Sequence, residues 1–456
     1  MRADLTIDTM RGVANIAKSA ALHGKRTYKL FEKEEKKMSS ISVFEQNESC
    51  VRSYCRKYPV VFSKAKGSYL YDVDGKAYLD FLAGCGALNY GHNNDDIKKA
   101  VIDYLTDDHV SHAMDMYTEA KAEFITTFKE KILDPRNLSY KIMFCGSTGT
   151  NAVEAALKLC RKNKKRSNII AFMGAFHGMT LGSLALTTDK TSRDGAGVSM
   201  DNVTFIPYEC GCGIDVDSLK YLEVILADDH SGVEKPAAVF VETVQAEGGI
   251  QVASVEWLKK LEKICHDNDI LLVVDDIQVG CSRTGTFFSF ERAGIKPDMV
   301  TLSKSIGGYG FPMSLLLIRD ELDIWKPAEH NGTFRGNQVA FVAAKKAIEI
   351  NESTNLNAEV LRKGEIVREF IEKEILPMNP LFTYRGIGLI WGIDFGKMPD
   401  KEFAHRVADK CFEKMMIIER AGRGDSVLKL LPPLTITDDE LMKGLEIIKA
   451  AVAECL

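Results

Sequence analysis

Between residues 140 and 318, short and continuously apolar runs alternate with segments of helical spacing, which leaves few architectures open to the chain. Runs at 141–145, 168–173, 203–206, 237–244, 270–275, 299–303 and 313–318 read as strands. The stretch 151–163 places Ala152, Ala155, Ala156, Leu159 and Cys160 at helical spacing, and 257–268 does the same with Leu258, Leu261, Ile264 and Cys265. Strands apolar on both faces must be covered on both faces. The pattern therefore predicts an α/β fold, a mostly parallel seven-stranded sheet flanked by helices. Ligands of such sheets bind beyond the carboxyl ends of the strands. From about residue 340 a long helical stretch begins, and a β-containing segment at 383–395 follows, which reads as a smaller α+β domain. The expected division is an N-terminal extension (1–37), the N-terminal part of the small domain (38–95), a large domain (96–345) and the C-terminal small domain (346–456).

Composition removes several classes of function. With 45% hydrophobic and 27% charged residues, the chain is neither disordered, collagen-like nor stapled by disulfides. Its 59 basic and 64 acidic residues give a net charge of −5, so no positive field exists to hold nucleic acid or an anionic membrane. The apolar runs fall far short of the ~18–20 residues of a spanning helix. Eleven cysteines, an odd number without a repeated C-x-x-C, suit a reduced cytoplasm. Cys210-Gly-Cys212 lacks further ligands at zinc spacing and reads as a loop, so no metal is expected. The extension mixes Arg2, Arg11 and Lys18 with Asp4 and Asp8 and has no long apolar core, so it reads as solvated rather than as a leader.

Four segments carry chemistry. In Leu271-Leu-Val-Val-Asp-Asp-Ile-Gln278 a buried strand runs straight into two carboxylates, and a buried carboxylate costs several kcal/mol unless compensated. Asp275 needs a positive partner; alone, it reads as well as a cap or a buried ion pair. In Thr301-Leu-Ser-Lys-Ser-Ile-Gly-Gly308 a lysine, Lys304, ends another apolar strand. Such a lysine usually snorkels, but in a partly desolvated pocket its pKa falls and it becomes a nucleophile toward carbonyl carbon. Together the two suggest an acid for a pyridinium nitrogen and an amine for an aldehyde. The turn Cys145-Gly-Ser-Thr-Gly-Thr150 opens a helix, where the amides of Gly149 and Thr150 face outward toward an anion. In Ala175-Phe-His-Gly178, Phe176 can stack on a planar ring, although core packing is the commoner use of Phe.

These segments, in this order, resemble the class III, fold-type I aminotransferases that depend on pyridoxal 5′-phosphate. Glu242-Thr-Val-Gln-Ala-Glu-Gly-Gly249 and His330-Asn-Gly-Thr-Phe-Arg-Gly-Asn337 extend the likeness to roughly residues 40–456. Within the class, Leu88-Asn-Tyr-Gly-His92, Asp276-Ile-Gln278 and Lys429-Leu-Leu-Pro-Pro-Leu-Thr-Ile436 resemble the diaminobutyrate–2-oxoglutarate branch, associated with ectoine synthesis. The resemblance implies that Lys304 bonds the cofactor aldehyde and Asp275 pairs with the ring nitrogen. It implies further that Gln278 meets the phenolic oxygen, Phe176 stacks on the ring with His177 beside it, and Gly149 and Thr150 bind the phosphate. Thr333 is expected to reach the phosphate of a neighbouring subunit, making a homodimer the smallest complete unit, and Glu247 to line the substrate side. Arg283 and Arg385 read as structural.

One departure bears on substrate. Many class III relatives place arginine where this chain has Lys429, and lysine lacks the bidentate fork for a carboxylate. The carboxylate anchor is then Lys429 or Arg335. Asp276 stands where most relatives carry Glu. Other readings are an ω-transaminase for ornithine or 4-aminobutyrate, a diaminobutyrate supply for a siderophore or peptide antibiotic, and an aminomutase, which needs no second amino acceptor. A cofactor-binding transcription regulator would require a basic helix-turn-helix, for which 37 residues are too few.

Overall fold

The computed structural model describes residues 41–210, 213 and 216–456. The extension 1–37 and Cys212 lie outside the described residues. The described residues form two compact units, one of residues 41–64 and 71–77 and the other of 65–70 and 78–456. The first carries the short helices Ile41–Asn47 and Tyr54–Lys57. Both sheets below belong to the second.

The larger sheet has seven strands: β1 Tyr140–Phe144, β2 Ile169–Phe172, β3 Val203–Ile206, β4 Ala238–Val241, β5 Leu271–Asp275, β6 Met299–Leu302 and β7 Leu315–Arg319. All seven coincide, within a few residues, with the apolar runs. Their spatial order is β1-β7-β6-β5-β4-β2-β3. Strand β5 is parallel to β4 and β6, and β2 is parallel to β3 and β4, whereas β7 runs antiparallel to β6 and β1. Every residue of β2, β4, β5 and β6 is buried, as continuous apolar strands require.

Helices seal both faces. Helix α1, Gly149–Lys164, buries Ala152, Ala155, Ala156 and Leu159 against Leu271 and Val273 of β5. Helix α2, Val255–Asp267, packs Leu258, Leu261 and Cys265 against the alternate residues Leu272 and Val274. The alternation along one strand thus feeds two cores. Each fully buried Leu or Val contributes roughly 1.5–3 kcal/mol. Ser254 caps α2 by accepting from the Trp257 amide at 3.1 Å.

Beyond the sheet lie α3 Gln338–Ser353 and α4 Leu356–Phe370, the long helical stretch of the sequence. The segment 383–395 is a hairpin of β8 Thr383–Ile387 and β9 Ile390–Asp394. With β10 Glu419–Ala421 and β11 Val427–Leu430 it forms an antiparallel sheet of order β8-β9-β11-β10. Helix α5, Asp438–Cys455, begins with a reciprocal cap between Thr437 and Glu440.

Strand order fixes the site. Strands β6, β5, β4 and β2 are neighbours and parallel, so their carboxyl ends share one edge. Lys304, Asp275, Glu242 and the Phe176-His177 pair follow those ends in that spatial order.

Candidate active site

A cavity of about 320 Å³ opens at this edge. Its lining includes Gly149, Thr150, Phe176, His177, Asp275, Gln278 and Lys304, seven of the expected cofactor residues, together with Glu247. Residues separated by more than a hundred positions are gathered by the strand order and the turns that follow the strands.

Asp275 ends β5 almost without solvent contact. Its Oδ1 accepts from the Ile277 amide and from the Thr301 hydroxyl, each at 3.1 Å, and its Oδ2 lies 2.6 Å from His177 Nδ1. Burial pulls the His177 pKa down, but the hydrogen bond and charge of Asp275 outweigh it and the net shift is upward. His177 is thus the partner that a buried strand-end carboxylate demands.

Lys304 follows β6 at φ +52°, a left-handed conformation that costs a non-glycine residue about 1–2 kcal/mol. The preceding Ser303 is pinned by its hydroxyl donating to the Met313 carbonyl at 2.8 Å. Among the described residues no hydrogen bond holds Lys304 Nζ in the cavity. Phe176 is 36% exposed and presents its ring to the cavity rather than to the core.

At the other end, Gly149 and Thr150 open α1, where no preceding turn accepts from their amides. A Cβ on Gly149 would lie 2.8 Å from Ile277 Cδ1, and one on Gly178 2.6 Å from Thr150 Oγ1, so both glycines keep the wall open. The Thr150 hydroxyl shares hydrogen bonds with Thr180 (2.6 Å) and Ser183 (2.5 Å). Outward amides at a helix N-terminus suit a phosphate, and the exposed ring, the strand-end carboxylate and the unengaged amine suit a pyridine aldehyde. The residues present therefore fit pyridoxal phosphate.

The substrate wall is an ion cluster. Glu247 Oε1 lies 2.6 Å from Lys429 Nζ and accepts from Gln278 Nε2 at 3.0 Å. Lys429 is fully buried and reaches a second carboxylate, Glu419 Oε2, at 3.0 Å. Burial opposes the Lys429 charge, yet the two carboxylates hold its pKa above the ordinary value. Burial likewise pushes Glu247 up, but Lys429 and Lys304 bring it down to about 2. Gln278 Nε2 also donates to the Cys85 carbonyl at 2.9 Å. Cys85 sits in a left-handed turn, Ala83–Gly86, with all four φ positive, and Asp80 Oδ1 anchors its start through the Leu82 and Ala83 amides.

Not every expected residue lines this cavity. Lys429 lies behind Glu247, with no exposed side-chain surface. Thr333 and Arg335 line a separate pocket of about 330 Å³ with Cys145, Ser147 and His330. Arg335 donates through Nε to the Phe144 carbonyl at 2.9 Å and through a terminal nitrogen to the His330 carbonyl. Arg283 and Arg385 are held by backbone carbonyls, Arg283 at Leu389 and Pro432 and Arg385 at Gly249, as structural residues are. Sequence reasoning missed Glu242 and Glu419. Glu242 carries the same signature as Asp275, an apolar strand running into a carboxylate, whereas Glu419 has no local signal.

An amine and a buried carboxylate on the carboxyl edge of such a sheet suit a pyridoxal-phosphate enzyme of the aminotransferase type. Residues 52–452 match the family model for aminotransferase class-III, and the chain belongs to that family. It is 52% identical over 419 residues to the diaminobutyrate–2-oxoglutarate transaminase of Bordetella parapertussis, covering 91% of this chain and 96% of that one. A like-named protein of Streptomyces avermitilis is 52% identical over 420 residues, covering 91% and 98%. Among solved structures, the ornithine aminotransferase of Toxoplasma gondii superposes with a TM-score of 0.80 at 25% identity, over 93% of this chain and 96% of that one.

Proposed function

We propose that the protein moves an amino group between L-2,4-diaminobutyrate and 2-oxoglutarate, with L-aspartate 4-semialdehyde and L-glutamate as the other pair. The observation that carries this reading is the 52% identity to diaminobutyrate–2-oxoglutarate transaminases across 91% of the chain. The geometry agrees with it. Bound pyridoxal phosphate supplies an electron-withdrawing ring that makes the adjoining substrate C–H acidic. Asp275, oriented by Thr301 and His177, keeps a proton at the ring nitrogen. Phe176 covers one ring face, Gln278 exchanges its bond to Glu247 for one to the phenolic oxygen, and the amides of Gly149 and Thr150 bind the phosphate. The Lys304 amine takes a proton from the substrate carbon and returns it at the neighbouring position, as a general base and then a general acid. Glu247 keeps Lys429 covered until a substrate carboxylate displaces it. Thr333 completes the phosphate site of a partner subunit in a homodimer. The enzyme works in the cytoplasm, and its product feeds ectoine synthesis.

The test is direct. Purified protein with pyridoxal phosphate, glutamate and aspartate 4-semialdehyde should yield 2,4-diaminobutyrate, and carbon NMR should place the new amine on the terminal carbon. If ornithine or 4-aminobutyrate proves the better amino donor to 2-oxoglutarate, the substrate assignment fails.

A further inference from the structure

We propose that Glu242 is a positioning residue of this site, fixing the Phe176 ring through its backbone amide and sharing one charge network with His177 and Asp275. The inference rests on the reading that Phe176 covers the cofactor ring. Glu242 directly follows β4, between the strand ends that bear Asp275 and the Phe176-His177 pair. It lines the cavity yet is only 8% exposed. Its Oε1 accepts from the Phe176 amide at 3.0 Å.

The loop it holds has other anchors: the Thr188 amide donates to the Ala175 carbonyl at 3.0 Å. The His177 amide donates to Thr187 Oγ1 at 3.0 Å, Thr187 Oγ1 donates to the Gly178 carbonyl at 2.9 Å, and His177 Nδ1 meets Asp275. Glu242 supplies the contact at Phe176 itself. An ordinary structural carboxylate in so dry a place would be paired with a cation at contact distance. Glu242 instead faces His177 from the loop after β2, Asp275 from β5, Glu247 from the following turn, and Tyr208, whose hydroxyl donates to the Glu242 main-chain carbonyl at 2.8 Å. Burial pushes its pKa up to about 8; His177 lowers it and Asp275 raises it. Below that pH the carboxyl is neutral and accepts weakly from the Phe176 amide. Above it, the carboxylate accepts more strongly and adds negative charge beside the His177–Asp275 pair, favouring the protonated imidazole.

Two variants separate clamp from charge. Glu242→Gln keeps an acceptor for the Phe176 amide but cannot ionise, and Glu242→Ala loses both. Apoprotein is titrated with pyridoxal phosphate, and visible circular dichroism and absorption of the bound chromophore are followed across about pH 6–10. Glu242→Ala should weaken cofactor binding about tenfold and alter the dichroic band, whereas Glu242→Gln should keep affinity within about threefold. The unaltered protein should show a spectral step near pH 8, and Glu242→Gln should lose it. Wild-type affinity and dichroism in Glu242→Ala, or a wild-type pH profile in Glu242→Gln, would overturn the proposal. Phe176→Ala distinguishes the readings. If it leaves the band unchanged, the ring-covering role falls and Glu242 with it; if it shifts the band while Glu242→Ala does not, the Glu242 proposal falls alone.

Discussion

Lys429 Nζ lies 2.6 Å from Glu247 Oε1 with none of its side chain exposed, while Glu247 borders the cavity. The second partner, Glu419, stands directly across from Lys429 in the β10–β11 register, so it is held there by the sheet. Glu247 lies on the turn between the short strands Val244–Gln245 and Gln251–Val252 and stands between Lys429 and the cavity. A carboxylate entering the cavity must therefore exchange with Glu247 to reach the cation.

Removing that cation leaves one carboxylate buried, Glu419, beside a second at the cavity wall, Glu247. Lys429→Met should lower unfolding free energy by roughly 3–5 kcal/mol, read from urea denaturation, and adding Glu419→Gln should restore part of the loss. If Lys429 is also the carboxylate anchor, the same variant should raise the KM for glutamate about 10–100-fold. Arg335→Ala should leave that KM unchanged, because its guanidinium is engaged by the Phe144 and His330 carbonyls.

Lys304→Ala should abolish transamination and the visible band of the bound cofactor, while phosphate-directed binding and thermal stability persist. Alanine pays the same left-handed backbone cost as lysine at φ +52°, so the fold has no reason to change. Asp275→Asn should lower kcat at least about 10²-fold, on the scale of losing one preorganised stabilising group.

Asp276 gives a pH signature. Burial pushes its carboxyl up to about 7, against hydrogen bonds from Ser289. Its Oδ1 has no partner among the described residues, and its Oδ2 accepts from the Ser289 amide at 3.0 Å. A raised acid contributes its full stability below its unfolded pKa and loses it as pH climbs through the folded value. Wild-type stability should therefore fall between about pH 4 and 7 relative to Asp276→Asn, by on the order of 2–4 kcal/mol in denaturation curves. A pH-independent difference between the two proteins would assign Asp276 a different environment.

Gly149→Ala should weaken pyridoxal phosphate binding by about tenfold without unfolding the protein. The new Cβ would press on Ile277 at 2.8 Å and narrow the approach to the helix amides. Equilibrium titration of the apoprotein reads the change, and Ile277→Val in the same chain should recover part of it.

Local pattern was enough for much of this. Val203–Ile206 was legible to the residue, since apolar runs and helical periods are properties of neighbouring residues. Asp275 and Lys304 were legible as candidate site residues because a charged group at the end of a buried strand must find compensation wherever the strand goes, and both line the cavity. The tertiary structure alone decided who provides it. The order β6-β5-β4-β2 sets Lys304, Asp275, Glu242 and His177 side by side, and nothing local encodes that order. The same holds for Lys429, which reads along the chain as a free cation for substrate. Its burial between Glu247 and Glu419 depends on strand register and on a turn 182 residues away, contacts that exist only when the sheets have formed.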